Sequence, residues 1–191
     1  MKPKDIKGIF LLGLMVFLAL PIYSQTLSKK EQRQLEKEMK KEQKAEEAAR
    51  RAEVVDAMVT YQRFVLEANQ LRDRRGNSLQ VNSQINFLAS DSITGVIQVG
   101  QNAYVGQNGV GGVTVEGPVV DYTYTKNKKN DTYRVHYYLR TTLGTYDVNM
   151  VVSPNGRAEA TVSSATWGGR ITYSGYLVPV GISRVFKGTP M

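Results

Sequence analysis

The chain has 191 residues, 41% of them hydrophobic and 22% charged, with 25 Lys and Arg against 17 Asp and Glu for a net charge of +8. That length suits one ordinary domain with extensions, and the composition is globular, neither disordered nor that of a multi-span membrane protein. There is no Cys and one His, which removes disulfides, thiolate metal sites, Cys nucleophiles and lipid attachment through Cys.

The first residues run basic, then apolar, then small. Lys2, Lys4 and Lys7 precede an apolar run from Ile9 to Leu20, and Pro21 to Ser24 leads into Gln25. That order is expected of a secretory signal peptide over 1–24, cut between Ser24 and Gln25. The apolar run is too short for an ordinary spanning helix. Loss of Lys2, Lys4, Lys7 and Asp5 lowers the net charge from +8 to +6. The remaining chain is long enough to bury a core without disulfides. The address implies a periplasmic or secreted protein with no transmembrane span once the signal is removed.

Residues 25–60 read as a long charged helix or stalk. From Ser28 to Glu53 there is no Gly, Pro or aromatic residue. Ser28-Lys-Lys-Glu31 has the spacing of a capping box, with Leu27 placed as a staple. Glu36 and Lys40, Glu46 and Arg50, and Glu47 and Arg51 are favourably oriented pairs four apart. Leu35 and Met39 stand alone, with no heptad seam continuing beyond them, so a sustained coiled coil is not expected. Nine basic residues between 29 and 53 are nearly balanced by seven Glu, which argues against nucleic acid or anionic lipid as a partner. Val54, Val55, Met58, Val59 and Tyr61 are expected to dock the last turns on the following domain.

Residues 61–191 change to alternation, Gly and turn signals. Strands are expected near 64–71, 78–89, 93–99, 112–116 and 121–125. Tyr133, Val135, Tyr137 and Leu139 then alternate with Arg134, His136, Tyr138 and Arg140, and Tyr146, Val148, Met150 and Val152 form the next apolar face. A two-residue turn at Leu143-Gly144 sets Leu139 opposite Val148 and Arg140 opposite Asp147. A four-residue turn over 141–144 keeps the faces and loses the ion pair, and Leu143 sits badly at a position needing positive φ. At Pro154-Asn155-Gly156 a three-residue turn with Gly156 in the left-handed region pairs Val152 with Ala158, Met150 with Ala160 and Val148 with Val162. A two-residue turn there buries Glu159 opposite Val152, so three residues are expected. A last hairpin passes through Trp167 to Gly169 into 171–180. The fold class is mainly β: an antiparallel meander of about eight strands, barrel-like or a sandwich, preceded by the long charged helix. Tyr122, Tyr124, Tyr133, Tyr137, Tyr146 and Tyr173 have core-facing parity.

Reactive constellations are scarce. His136 lies on the less apolar face of its strand, with Asp147 and Asp121 as the acids a triad would need, but no nucleophile elbow accompanies it. One His without Cys does not make a metal site. The carboxylates from Glu67 to Glu159 show no spacing that selects a glycosidase pair. No catalytic residue, cofactor or metal ligand is assigned. The segment from Gly100 to Gly117 repeats Val-Gly-Gln-Asn at 99–102 and 105–108 and fits neither dinucleotide nor P-loop spacing. Its functional reading is a binding loop at a barrel mouth, with Tyr104, Gly106, Gly109, Gly111 and Gly112 as ligand-loop candidates.

A signal ending in Ser24-Gln25, a Lys/Glu helix, Phe64-Val-Leu-Glu-Ala-Asn-Gln-Leu71, a Gly76 turn, Gly111-Gly-Val-Thr-Val-Glu-Gly117 and Ile171-Thr-Tyr-Ser-Gly-Tyr-Leu177 follow in order. Over about residues 45–180 this resembles a family of exported Bacteroidetes proteins designated a domain of unknown function. The resemblance implies a β-rich exported domain with no assigned substrate and no catalytic residues to carry over. The expected function is a non-enzymatic binding or interaction module of the cell envelope, for a small apolar ligand or an envelope protein. The alternatives are a hydrolase using carboxylates or His136, and a structural helper tethered by the N-terminal helix.

Overall fold

The computed structural model describes residues 28–101, 106–164 and 168–191. The chain divides into two compact units, Met1–Glu42 and Gln43–Met191. Helix α1 spans Lys29–Thr60. Its first turn carries the capping box: the Ser28 N–H donates to Glu31 Oε2 at 2.8 Å and the Glu31 N–H to Ser28 Oγ at 3.3 Å. Two otherwise orphaned donors are thereby satisfied. Arg50 and Glu46 pair across one turn at 2.6 Å. Leu27, Ser24 and Gln25 lie outside the described residues.

In the second unit Val55, Met58 and Val59 are the buried residues of α1. They share one face at helical spacing. Val54 and Tyr61 were expected to dock with them and are instead exposed. Val54 falls off that face, and Tyr61 lies past the last helical residue. The chain leaves the helix through Gln62 at φ 56.

Among the described residues nine strands follow: β1 Arg63–Arg72, β2 Ser78–Gln80, β3 Phe87–Asp91, β4 Thr94–Val99, β5 Val113–Asn127, β6 Thr132–Thr141, β7 Gly144–Val152, β8 Arg157–Ser164 and β9 Arg170–Val178. All pairings are antiparallel, and β1 pairs with β9, Val65 opposite Val178 and Arg72 opposite Thr172. Eight strands thus close into a barrel, and short β2 extends the β1 edge beyond β3. Closure leaves the long strands without a free edge, which decides for a barrel over a sandwich.

Three local expectations are corrected. The strand expected over 78–89 is two strands, because Asn82 turns the chain: its Oδ1 accepts the Gln84 N–H at 3.0 Å and its carbonyl accepts from Asn86 Nδ2 at 2.9 Å. The pieces expected at 112–116 and 121–125 are one strand, with a bulge between Val120 and Thr123 and Asp121 at φ 55. Pro118 interrupts nothing because it sits opposite Thr94, where the β4 ladder ends. In the β6–β7 hairpin Leu139 faces Tyr146, Tyr137 faces Val148 and Arg140 faces Thr145. This is the register of the four-residue alternative. The positive φ falls on Gly144, at 128°, and not on Leu143. The β7–β8 hairpin has the register read from Pro154-Asn155-Gly156: Val152 with Ala158, Met150 with Ala160, Val148 with Val162.

The barrel interior is fullest toward α1. Phe64, Leu66, Tyr133, Tyr137 and Met150 are buried there with Val55, Met58 and Val59. The Tyr122 hydroxyl donates to the Val59 carbonyl at 2.7 Å, tying β5 to the helix end. Tyr124, expected inside, is exposed and packs its ring against Tyr122 and Tyr133. The bulge just before it re-aims this part of the strand. A smaller cluster of Val65, Phe87 and Val96 lies on the outer wall under Val178, Val180 and Val185.

Candidate functional site

The strand directions separate two barrel ends. At one, β1 begins, β7 ends at Val152 and β8 begins, and a Cβ placed on Gly156 of the β7–β8 turn would come within 3.9 Å of the Val55 side chain of α1. At the other, β4 ends, β5 begins, β8 ends and β9 begins. Here the interior is not filled. A cavity of about 630 Å³ is lined by Ile97 and Val99 of β4, Val113 and Val115 of β5, Tyr146 of β7, Val162 and Ser164 of β8, and Ile171 and Tyr173 of β9. Gly112, Leu143, Gly169 and Met191 complete its wall.

The physical reason is side-chain size. An eight-stranded barrel is just wide enough to be filled by its own side chains or to hold one small ligand. Phe64, Leu66, Tyr133 and Met150 fill the half toward the helix. Val, Ile and Gly dominate the other half and leave space.

Among the described residues the wall carries no Asp, Glu, Lys, Arg or His side chain. Its ionisable side chains among the described residues are two tyrosines. Burial pushes the Tyr146 hydroxyl above its ordinary value. Tyr173, wholly buried, is pushed far higher by the same cause, with Tyr146 and Tyr137 adding to it. Both are neutral at any physiological pH. A charge placed inside would lose its hydration with no counter-charge to replace it, whereas an apolar body would lose only unfavourable contact with water.

Of the loop residues singled out from the sequence, Gly112 lies in the cavity wall. Gly111 is buried beside it at φ 70, and Gly106 and Gly109 are exposed at φ 61 and 79. Tyr104 lies outside the described residues, as does Trp167. The loop is organised by Asn108. Its Oδ1 accepts the Val110 and Gly112 N–H groups, each at 3.2 Å, and its Nδ2 donates to Thr114 Oγ1 at 3.1 Å. The second copy of the Val-Gly-Gln-Asn echo thus ends in the residue that shapes the loop. The wall strands were legible as apolar faces, but the space between them was not, and nothing in the sequence marked Leu143 or Met191.

His136 and Asp147 do meet, Nε2 to Oδ1 at 3.2 Å. They lie on the outer face of β6 and β7, where the His136 ring stands edge-on to Tyr138 and Asn149 Nδ2 donates to the same Asp147 oxygen at 2.6 Å. Neither residue lines the cavity. Among the described residues no cluster of His, Cys, Asp and Glu is arranged to hold a metal ion. No described helix is long and apolar enough to cross a membrane.

Residues 37–177 match the family described as Domain of unknown function (DUF4251). The chain belongs to this family. A crystal structure of a DUF4251 family protein from Bacteroides eggerthii DSM 20697 is similar at 30% identity and a TM-score of 0.61, covering 71% of this chain and 92% of that one. No curated protein matches the chain. The DUF4251 match contains the whole closed barrel except the last residue of β9. The resemblance read from 64–71 and 111–117 therefore points to the family that the match identifies.

Proposed function

We propose that this DUF4251 protein is an exported, non-enzymatic binding module of the cell envelope. Its barrel takes up a small apolar ligand, or the apolar part of a larger one, at the end away from the helix. One observation carries the proposal: the barrel holds a cavity of about 630 Å³ with no charged side chain among its described lining residues. That volume lies within the range of small-molecule sites, which are apolar with a few polar groups. Tyr146, Ser164 and Tyr173 supply those groups here. Export is supported by the basic, apolar and small-residue order of residues 1–24.

The test is native mass spectrometry of the protein from its own envelope fraction, followed by titration of the purified chain with the neutral dye N-phenylnaphthylamine. The expected result is a chain beginning at Gln25, a co-purifying small molecule and saturable dye binding. Val162→Phe, which fills the cavity, and Ile171→Glu, which charges its mouth, each weaken dye binding at least about tenfold with the fold intact. Dye binding unchanged in both variants overturns the cavity assignment. A cytoplasmic chain retaining residues 1–24 overturns export.

A further inference from the structure

The segment after β9 does not trail away from the barrel. After a 3₁₀ turn at Val180–Ile182 it runs along the outer wall to the cavity mouth. Ser183 Oγ donates to Glu67 Oε1 at 2.7 Å, and the Phe186 N–H donates to the Gln84 carbonyl at 2.7 Å. Lys187 Nζ reaches Glu116 at 2.9 Å. The Thr189 and Met191 N–H groups donate to the carbonyls of Asn108 and Thr114 at 2.9 and 3.0 Å. Thr142 Oγ1 donates to the main-chain oxygen of Met191 at 2.6 Å.

At its centre is Gln98, 0% exposed although it points to the outer face of β4. Gln98 Nε2 donates to the carbonyls of Ile85 and Phe186 at 3.0 and 2.8 Å. Its Oε1 accepts from Thr114 Oγ1 and from the Gly188 N–H, at 3.0 and 2.8 Å. All four bonding positions of the amide are used. A buried amide is stable on a barrel's outer wall only while something covers and satisfies it, and residues 186–188 do both. A Cβ at position 188 would stand 2.4 Å from the Asn108 carbonyl oxygen, so the close approach needs glycine.

Along this strap Met191 lies in the cavity wall while 42% of the residue remains exposed. Met191 therefore lies at the rim, between ligand space and solvent. Its side chain is unbranched and adapts to irregular volumes. The family match stops at residue 177, so the strap lies outside the matched span.

We infer that residues 179–191 form a latched strap that completes the cavity, and that Met191 sets the length of apolar ligand the barrel accepts. The inference rests on the cavity being a binding site. With Gln98 holding the strap, a long chain is stopped at the Met191 side chain. Shortening that side chain opens room for further methylenes, each worth about a fourfold gain in affinity when buried.

The experiment is displacement of N-phenylnaphthylamine by a series of straight-chain alcohols of increasing length. It is run on the wild-type chain, Met191→Ala, Met191→Trp and Gln98→Leu, with thermal unfolding as the folding control. Met191→Ala is expected to move the tightest-binding alcohol to a longer chain, Met191→Trp to a shorter one. Gln98→Leu, which releases the strap, is expected to broaden the length preference. Dye binding to the wild type with one length optimum shared by all variants overturns the strap's role and leaves the cavity assignment standing. No binding to the wild type but binding to Met191→Ala supports the strap as a closed cover. No binding to any variant overturns both.

Discussion

The Tyr133 hydroxyl on strand β6 donates a hydrogen bond to the Asp56 carboxylate on helix α1, joining residues 77 apart in sequence. Lys126 Nζ lies 3.2 Å from the same carboxylate oxygen and 5.1 Å from the centre of the Tyr133 ring. The three groups clamp the helix end to the barrel at the end away from the cavity. The Tyr133 bond first, and Lys126 second, hold the Asp56 carboxyl below the ordinary carboxylate range.

That shift has a definite sign. A carboxyl with a depressed folded pKa contributes stability that is fully present above its unfolded value, about 3.9, and is lost as pH falls through the folded value. Asp56→Asn is expected to remove this part of the acid limb and to leave stability independent of this group below it. Half of the Asp56 side chain is exposed, so solvent screening limits the effect near neutral pH to at most about 1 kcal/mol. Urea unfolding of both proteins at a series of pH values measures it. Parallel acid limbs would refute the assignment.

Met58 is the buried helix residue with the longest side chain. Met58→Ala removes most of that side chain from a packed interior and is expected to cost about 2–5 kcal/mol. Because Val55 and Val59 share the face, the loss should appear in the cooperative unfolding of the whole barrel. Equilibrium denaturation followed by both far-UV and near-UV circular dichroism tests this. Helix loss without a change in barrel unfolding would contradict it.

Gly156 holds φ at 83° in the β7–β8 turn. A Cβ there would make only ordinary contacts, the nearest being 3.6 Å from the Leu177 carbonyl oxygen. The cost of Gly156→Ala is therefore conformational alone, about 1–2 kcal/mol. The β7–β8 register should survive, since Met150 opposite Ala160 and Val148 opposite Val162 keep the apolar residues on one face. Chemical denaturation gives the cost, and cross-strand nuclear Overhauser contacts give the register.

Gln98→Leu leaves the Gly188 N–H and the Phe186 carbonyl without the partners they now have. A loss of about 2 kcal/mol is expected, because leaving buried polar groups unsatisfied costs more than a net hydrogen bond contributes. Amide exchange should rise first at Gly188, Thr189 and Met191, whose N–H groups are all engaged by the barrel. Protection unchanged at these three amides would show that Gln98 does not hold the strap.

Where chemistry is local, the sequence was legible. Ser28 and Glu31 lie three apart, and their bonds form as that spacing requires. At Pro154-Asn155-Gly156 one register buried apolar residues and the other a carboxylate, so the burial cost chose. At Thr141 to Gly144 both turns kept the same faces. The ion pair between Arg140 and Asp147 favoured the wrong one, because an exposed pair is worth less than placing positive φ on glycine. Asp147 bonds instead to His136 and Asn149.

By itself, then, the sequence determined the helix with its cap, the antiparallel meander, the inward parity of most tyrosines and the Gly156 hairpin. Each depends on residues a few positions apart or on a repeating period. Only the tertiary structure decided that Val65 meets Val178 and closes a barrel, that Tyr133 binds Asp56, that the barrel's far end is left open, and that Met191 comes to rest in its wall. Closure joins strands from opposite ends of the domain. An empty volume is the difference between the space enclosed by several strands and the side chains that enter it, and no local pattern encodes that difference. The strap has no period to read, because a single extended segment is positioned by the carbonyls and the buried Gln98 it lies against.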